Sequence, residues 1–480
     1  MTEAIRMFAA NLHVFAVLLF GSYVLAVICA VREIMNSRTS QGSVAWVMAL
    51  LILPMPTAFF YFVFGWKFFD GYAQFQGNAE RILRGERARQ LLQVDEESST
   101  HWSVLTKVSH LPFLSGNEVK LLIDGDATFA SIFEGITAAQ TYLFVQFYTV
   151  RDDDLGRALA DRLIARARAG VSVYFLYDDV GSSGLSRRFR RRLKEAGVHV
   201  AAFNQRHPWL RLYGPTRIQY RNHRKIVVAD GKIVWFGGLN VGVEYLGLNK
   251  RLGRWRDTHL RVAGPAALAA ALIFREDWHW ATGQRLGNAL PDAIDTPGNQ
   301  SVMVMPSGPA NNVEEVSVTY HEVISRARQR IWIVSPYFVP DLDLQIALYT
   351  AVLRGVDVRI MLPARPDHFL VWHASNSHAD AMVQHGVGIY RYRRGFLHQK
   401  VILVDSKIAG VGSVNFDNRS FNINFEVMGW FTGEETIEAV ESMLEEDFTR
   451  CDKVSREHVQ NRALGPRFIA QAARLFSPIL

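Results

Sequence analysis

Cysteine is scarce in this chain of 480 residues, which contains two, Cys29 and Cys451. Two thiols so far apart supply neither a disulfide framework nor the clustered ligands of a zinc site. The chain also lacks a Walker-type phosphate loop and a GxGxxG motif followed by an acidic residue, which are the usual marks of nucleotide-binding sites. Thiol redox chemistry and nucleotide-dependent chemistry are therefore not expected.

Long hydrophobic runs, by contrast, are present at the amino terminus. Residues 12–31 and 43–65 contain no Asp, Glu, Lys or Arg. About twenty helical residues match the roughly 30 Å hydrocarbon thickness of a bilayer, and membrane helices tolerate prolines such as those of the second run. We predict a two-helix transmembrane hairpin. A cleavable signal peptide is the alternative for the first run, but the second run argues against it.

The charge of the chain is consistent with this anchor. The formal net charge of +7 favours an anionic partner, either phospholipid headgroups or nucleic acid, and the apolar runs favour lipid. More basic residues follow the second run than lie between the two runs, which by the positive-inside rule predicts that the body is cytoplasmic. The expected location is therefore a membrane, crossed more than once, with the body on its cytoplasmic side.

The remaining sequence predicts an α/β protein built from a duplicated domain. In each half, strands alternate with helices in the order strand, helix, strand, helix, strand, and each half closes on a similar segment, RNHRKIVVADG from Arg221 and FLHQKVILVDS from Phe396. Two copies of a whole domain predict two lobes, each a mixed sheet flanked by helices, related by a pseudo-twofold axis. The predicted domains are the membrane anchor 1–69, a linker helix 70–115, the first lobe 116–295 and the second lobe 296–480.

The two closing segments carry the same reactive residues at the same offsets. The first contains His223, Lys225, Asp230, Gly237, Gly238 and Asn240, and the second contains His398, Lys400, Asp405, Gly412, Ser413 and Asn415. Matched motifs inside matched repeats are not expected by chance. The sequence therefore predicts one site assembled from both halves.

This inventory suits a phosphodiester substrate. Period-two alternation places the histidine and lysine of each motif on one face of a strand. When the lobes meet, one neutral imidazole can attack phosphorus while the other, protonated, donates to the leaving alkoxide. Lysines and asparagines can then stabilise the non-bridging oxygens, as a metal ion does elsewhere, so no metal is required.

The paired motifs resemble those of the phospholipase D superfamily, and the neighbouring blocks resemble the bacterial cardiolipin synthases. The blocks are the hairpin sequence AWVMALLILPMP, then LYDDVGS, GGLNVGVEYLG, SPYFVPD, GSVNFDNRSFNINFE and the terminal ARLFSPIL. The resemblance spans nearly the whole chain. It implies transfer of a phosphatidyl group from one phosphatidylglycerol to another through a phosphohistidine intermediate, with release of glycerol and without a cofactor.

The resemblance also implies roles for individual residues. Asp257 and Glu426 match acids that orient the catalytic imidazoles, whereas Asp230 and Asp405 are expected to hold the strand-to-turn geometry. Ser413 stands where the first copy has glycine. The two motifs by themselves do not show which histidine is the nucleophile. The family resemblance favours His223.

Three other functions compete with this interpretation. A phospholipase D that hydrolyses phospholipids or transfers to small alcohols would use the same residues for its first half-reaction. A nuclease of the superfamily would suit the basic charge but not the apolar runs, and a non-enzymatic scaffold would not need both motifs intact. Two further segments are left open: Arg391, Arg393 and Arg394 for drawing in phosphate, and the carboxyl-terminal FIAQAARLFSPIL for docking on the body or the bilayer.

Overall fold

The structure is a computed structural model that describes residues 2–36, 40–65, 92–204, 220–287, 293–309 and 314–480. It divides into two compact units. One contains the amino-terminal helices and the other contains the described residues from 92 onward. Each unit is described by itself below.

The amino-terminal unit consists of apolar helices. Helix α1 spans Thr2–Met35, α2 spans Ser40–Ile52 and α3 spans Pro54–Phe60, followed by a π-helical turn at Tyr61–Gly65. Within the described residues, one helical stretch, His13–Met35, is long and apolar enough to cross a membrane. The second apolar run is divided at Leu53, because the proline that follows cannot donate a backbone N–H.

Small side chains allow these helices to pack closely. Ala26 and Ala30 of α1 are buried against Leu50 of α2 and Ala58 of α3. The carbonyl of Ala49 accepts both the N–H of Leu53 at 2.9 Å and the hydroxyl of Thr57 at 3.0 Å, which ties α3 to the end of α2. The amino-terminal helices thus form a packed unit of their own.

In its described residues the larger unit contains first two short helices, α4 (Glu96–His101) and α5 (Ser103–Ser109). The predicted linker helix 70–115 lies partly outside the described residues, and its described end contains these helices and the start of the first strand. The elements of the first half are β1 (Leu114–Ile123), α6 (Asp124–Ala138), β2 (Tyr142–Phe147), α7 (Asp154–Arg168), β3 (Ser172–Asp178), α8 (Arg187–Glu195), β4 (His199–Phe203), β5 (Ile226–Ala229), β6 (Ile233–Gly237), β7 (Trp255–Arg256), β8 (Thr258–Ala263) and α9 (Ala266–Thr282), with a 3₁₀ turn at Val243–Leu246.

The second half repeats this order. Its elements are β9 (Gln300–Ser307), α10 (Glu315–Arg326), β10 (Arg330–Val334), β11 (Phe338–Val339), α11 (Leu342–Leu353), β12 (Asp357–Pro363), α12 (Phe369–Gln384), β13 (Gly388–Tyr392), β14 (Phe396–Leu397), β15 (Val401–Val404), β16 (Ile408–Gly412), β17 (Phe416–Asp417), α13 (Asn418–Asn422), β18 (Glu426–Phe431), α14 (Glu434–Phe448), β19 (Cys451–Lys453), α15 (Arg456–Gln460) and α16 (Leu464–Arg474), followed by a 3₁₀ turn at Ser477–Ile479.

One mixed sheet of fifteen strands runs through both halves. From the centre outward, the first half contributes β1, β8, β6, β5, β2, β3 and β4, and the second contributes β9, β18, β16, β15, β10, β12 and β13, with β19 at its edge. The two orders correspond strand by strand, so the predicted α/β duplication is confirmed. The halves join where β1 pairs antiparallel with β9, Leu114 opposite Val302 and Asn117 opposite Gln300.

The sheet is covered by helices, which explains its composition. Strands such as β5 (IVVA) and β15 (VILV) are buried at every residue, as expected for strands with helices on both faces. Each half has its own apolar core. These two rigid cores hold the segments that precede β5 and β15 close to the junction of the halves.

Candidate active site

The histidine and lysine of each motif lie just before a strand rather than within it. His223 and Lys225 precede β5, and His398 and Lys400 precede β15. The expectation that strands carry them was wrong by a few residues. The reason is that these segments pair elsewhere: the N–H of His223 donates to the carbonyl of Phe425, and that of His398 to the carbonyl of Arg256, both at 2.8 Å.

These backbone contacts cross between the halves. The first motif is bridged in parallel to Phe425 of the second half, and β14 of the second motif pairs in parallel with β7 of the first half. Each motif is therefore held by a segment of the opposite half, and that segment also carries an acid, Glu426 after Phe425 and Asp257 after Arg256. One site assembled from both motifs follows from this exchange.

The carboxylates are exchanged in the same way. His223 Nδ1 lies 2.8 and 2.9 Å from the two oxygens of Glu426, and His398 Nδ1 lies 2.8 Å from Asp257 Oδ2. The acid and the imidazole of each pair come from different halves. Each half thus completes the histidine of the other.

The ionisation of this cluster fixes the tautomer of both imidazoles. Although burial alone would raise them, the pKa values of Asp257 and Glu426 are lowered, chiefly by Lys400 in the first case and by His223 in the second. An ionised carboxylate only accepts hydrogen bonds, so Nδ1 of each histidine donates. Burial lowers the pKa of both His223 and His398 to about 4. Both rings are therefore neutral at pH 7, with Nε2 unprotonated and free to attack.

The imidazoles are the accessible part of a buried cluster. Their side chains are 11% and 10% exposed, whereas those of Glu426 and Asp257 are fully buried. Lys225 is also fully buried and Lys400 is 1% exposed. A substrate therefore meets the rings first, with charge held behind them.

Each lysine folds back on the histidine of its own motif. Lys225 Nζ donates to the carbonyl of His223 at 2.6 Å. Lys400 Nζ donates to the carbonyl of His398 and lies 2.9 Å from its Nδ1. Burial lowers the pKa of Lys400 to about 8 and that of Lys225 in the same direction. The two side-chain nitrogens are thus kept close to the histidines.

Glycine and serine at matched positions accommodate acids of different length. A Cβ on Gly238 would lie 2.0 Å from Asp257 Oδ1, so no side chain fits there. At the matching position Ser413 Oγ donates to Glu426 Oε2 at 2.5 Å. The glycine in the first copy and the serine in the second therefore each match the acid that they contact. Gly238 leaves room for Asp257, and Ser413 hydrogen-bonds Glu426.

The two motif asparagines lie in different surroundings. Asn240 Oδ1 accepts the N–H of Thr149 at 3.1 Å, and Asn240 Nδ2 donates to the hydroxyl of Tyr245 at 3.2 Å. Asn415 is 6% exposed, and its Oδ1 has no hydrogen-bond partner among the described residues. Asn240 positions the loop after β2, and Asn415 retains free hydrogen-bonding capacity.

The motif aspartates lie away from the imidazoles, in the turns after β5 and β15. Asp230 and Asp405 adopt left-handed φ values of 54° and 51°. Asp230 accepts the N–H groups of Gln140, Thr141 and Tyr142 at 2.7 to 2.9 Å, and Asp405 accepts those of residues 328–330 at 2.9 to 3.3 Å. Both carboxylates tie the turn to the start of a neighbouring strand.

Several residues around the site were not singled out from the sequence. The ring of Tyr148 meets His223 edge-on at 5.0 Å, and that of Trp255 lies 4.9 Å from His398. Arg224 is buried and pairs with Asp277 at 2.7 Å, and Arg256 is nearly buried and pairs with Asp447 at 2.6 Å. The sequence signal for the buried ion pairs was a charged residue inside an apolar strand or helix. Examples are Arg256 in WRDTHL and Asp277 in ALIFREDWHW.

Arg391, by contrast, lies outside this cluster. Its guanidinium donates to Asn376 Oδ1 at 2.5 Å and, together with Trp372 and His373, lines a separate cavity. The neighbouring Arg393 pairs with Asp452 at the surface. These arginines are therefore not part of the paired-histidine site.

Comparison with known proteins agrees with this geometry. Residues 132–253 and 320–448 match a family model described as cardiolipin synthase, PLD-like domain, and residues 24–66 match one described as phospholipase D-nuclease N-terminal. Cardiolipin synthase A of Pseudomonas fluorescens SBW25 is 43% identical over 477 residues, which cover 98% of this chain and 99% of that protein. This chain belongs to the cardiolipin synthase family.

Other family members and a solved structure agree. Cardiolipin synthase A of Pseudomonas aeruginosa LESB58 is 42% identical over 472 residues, covering 96% of each chain. The crystal structure of phosphatidylserine synthase from Haemophilus influenzae Rd KW20 covers 80% of this chain and 100% of its own, with a TM-score of 0.61 at 14% identity. At that identity the likeness extends to the fold alone. The fold of this cardiolipin synthase family member is thus similar to one already seen in a crystal structure.

Proposed function

We propose that this chain is a phosphatidyltransferase that makes cardiolipin. It transfers the phosphatidyl group of one phosphatidylglycerol to the free hydroxyl of a second and releases glycerol. The observation that carries the proposal is the pair of imidazoles, each oriented by a carboxylate of the other half, in a member of the cardiolipin synthase family.

In the first half-reaction, His223 Nε2 attacks the phosphorus of phosphatidylglycerol. The bond from phosphorus to the glycerol oxygen breaks, and His398 in its protonated form gives that oxygen its proton, so that glycerol leaves and a phosphohistidine remains. The assignment of His223 as nucleophile follows the family resemblance. Glu426 accepts the Nδ1–H of His223 and stabilises the positive charge that the ring acquires.

In the second half-reaction, His398 acts as the base. Neutral after the first step, it accepts the proton of the second phosphatidylglycerol hydroxyl, whose oxygen attacks the phosphohistidine and frees His223. Cardiolipin is the product, and both rings return to their starting states. No external energy source is consumed, because one phosphodiester replaces another.

Charge explains how a ring with a low pKa serves as an acid. Burial lowers the pKa of His398 to about 4, but a bound phosphodiester brings a negative charge beside it, which raises the pKa. The side chains of Lys225 and Lys400, held behind the rings, offset the charge that builds on the phosphodiester's non-bridging oxygens, and Asn415 supplies hydrogen bonds. Asn240 contributes by holding the loop beside the first motif.

The membrane arrangement is part of the proposal. We propose that residues 1–69 form a two-pass hairpin in the bacterial cytoplasmic membrane with the body on the cytoplasmic side. The apolar stretch in α1 and the positive-inside bias support this arrangement. The corresponding strand orders and the exchanged acids support a pseudo-twofold axis between the lobes.

The test is the lipid product of the purified chain in phosphatidylglycerol vesicles, measured by mass spectrometry. We expect cardiolipin and an equal amount of glycerol, lost in His223→Ala and in His398→Ala. His385→Ala is the matched control, because that histidine is exposed and contacts Tyr349 instead of the site. Phosphatidic acid without cardiolipin would mean a hydrolase, and an unaffected rate in either site variant would refute the proposed chemistry.

A further inference from the structure

The carboxyl-terminal helix α16 exposes an apolar face. Leu464, Phe468 and Leu475 are 82%, 75% and 81% exposed, and at 100° per residue they fall within about 40° of one another around the helix. The opposite side, with Ala470 and Ala473, is buried. A helix packed on a water-soluble body normally turns its polar side outward, so this face, termed here the α16 face, is unusual.

Arginines border the α16 face on one side. Arg467 and Arg474 lie about 60° to 80° from Leu464 around the helix. Large apolar residues beside long basic side chains are typical of helices that lie in the interfacial region of a membrane. The basic heads then reach the headgroups while their alkyl stems cover apolar surface.

A basic cavity adjoins the helix. Its volume is about 360 Å³, and its lining includes Pro466 of α16, Arg462 just before it, and Arg391 with Trp372 below. The Arg391 guanidinium lies 5.2 Å from the Trp372 ring centre and donates to Asn376. Among the residues that the structure describes, no carboxylate lies within ion-pair distance of Arg391.

The acid in the cavity is already engaged. Asp380 pairs with Arg462 at 2.6 Å, so the guanidinium of Arg391 has no carboxylate in direct contact. Burial lowers the pKa of Arg391 to about 10, against the raising effect of Asp380, yet it stays charged at pH 7. A phosphate group entering from the surface would supply the missing negative charge.

We propose that the α16 face and the Arg391 cavity form a second membrane contact, which docks the larger unit on a bilayer that contains anionic phospholipid. The apolar side chains enter the interface and the cavity accepts a lipid phosphate. A bilayer is the expected occupant because α1 of the same chain is long and apolar enough to cross one, which keeps lipid at high local concentration. This contact is separate from the paired-histidine site and does not depend on its chemistry.

The experiment places a fluorophore on the α16 face of the full chain in nanodiscs that hold one chain each. In a Cys29→Ala, Cys451→Ser background, Phe468→Cys is labelled with an environment-sensitive dye, and quenching by nitroxide-labelled lipids is measured. The matched control is Ala439→Cys, exposed on α14 beside Glu435 and Glu438. We expect roughly threefold stronger quenching at 468 than at 439, strongest for nitroxides about 5 to 10 Å below the headgroups.

The lipid composition tests the anionic part. With phosphatidylglycerol present, quenching at 468 should exceed that in phosphatidylcholine alone, and Arg467→Gln with Arg474→Gln should remove this difference. Equal quenching at 468 and 439 would overturn the docking surface, and quenching that is independent of phosphatidylglycerol would overturn the dependence on anionic lipid. Arg391→Gln should weaken the quenching at 468, and unchanged quenching in that variant would overturn the lipid-phosphate site. Quenching that appears only in vesicles with many chains would assign the face to a second copy and also overturn the proposal.

Discussion

Replacing Glu426 with glutamine tests the exchange of acids between the halves. The substitution preserves size and removes a charge that lies fully buried against His223 Nδ1 at 2.8 Å. With about 4 Å between charge centres and an effective dielectric constant of about 20, the lost attraction for a positively charged ring is about 4 kcal/mol. At 1.36 kcal/mol per factor of ten, phosphohistidine formation should slow roughly a thousandfold.

The assay uses a phosphatidyl ester of p-nitrophenol in stopped flow. Nitrophenolate leaves without a proton, so a His398→Ala variant should still give a burst of one equivalent if His223 is the nucleophile. On the same substrate, Glu426→Gln should lose the burst rate, whereas Asp257→Asn, which acts on His398, should keep it within a few-fold. On phosphatidylglycerol, where glycerol needs a proton, both variants should be slow.

The reverse pattern would refute the reasoning. If His398→Ala keeps the burst while Asp257→Asn loses it and Glu426→Gln does not, the acids serve the histidines of their own halves. Thermal unfolding of both variants is the control for folding. Ser413 and Asn424 also donate to Glu426, so a glutamine oxygen keeps an acceptor for one of them and a moderate loss of stability is expected.

Three further predictions follow from the site. In the phosphatidylglycerol vesicle assay, Gly238→Ala should lower kcat roughly a hundredfold, because its Cβ would lie 2.0 Å from Asp257 Oδ1 and displace the carboxylate. Ser413→Ala should lower kcat roughly tenfold or less in the same assay. The ammonium of Lys400, whose pKa burial lowers to about 8, loses its charge as pH rises, so kcat/KM should fall above about pH 8. Lys400→Arg should make that fall shallower without abolishing it, because the pKa of Lys225 is lowered as well. Asp230→Ala, which frees three backbone N–H groups, should destabilise the protein by about 3 kcal/mol in denaturant unfolding, and unchanged stability would contradict a structural role.

The sequence predicted the features that depend on local spacing. Matched offsets from His223 and His398 indicated two copies of one motif, and alternating strand and helix patterns indicated the duplicated α/β fold. These signals are reliable because side-chain periodicity and turn chemistry act over a few residues. Asp230 illustrates this point, since a left-handed turn after a strand favours aspartate.

The contacts that complete the site could not be predicted in this way. Glu426 reaches His223 across 203 residues of sequence, and Asp257 reaches His398 across 141. The choice between acids of the same half and of the opposite half depends on how two cores pack, which no local pattern records. The position of His223 before β5 has the same cause, because its N–H is taken by Phe425.

The exchange of acids also means that neither half is sufficient by itself. A single half contains an imidazole without its carboxylate and a carboxylate without its imidazole, so it could complete a site only by pairing with a second copy. Joined in one chain, the two copies need not be identical. Gly238 beside a short acid and Ser413 beside a long one are two mutually compensated solutions, where a homodimer has room for only one.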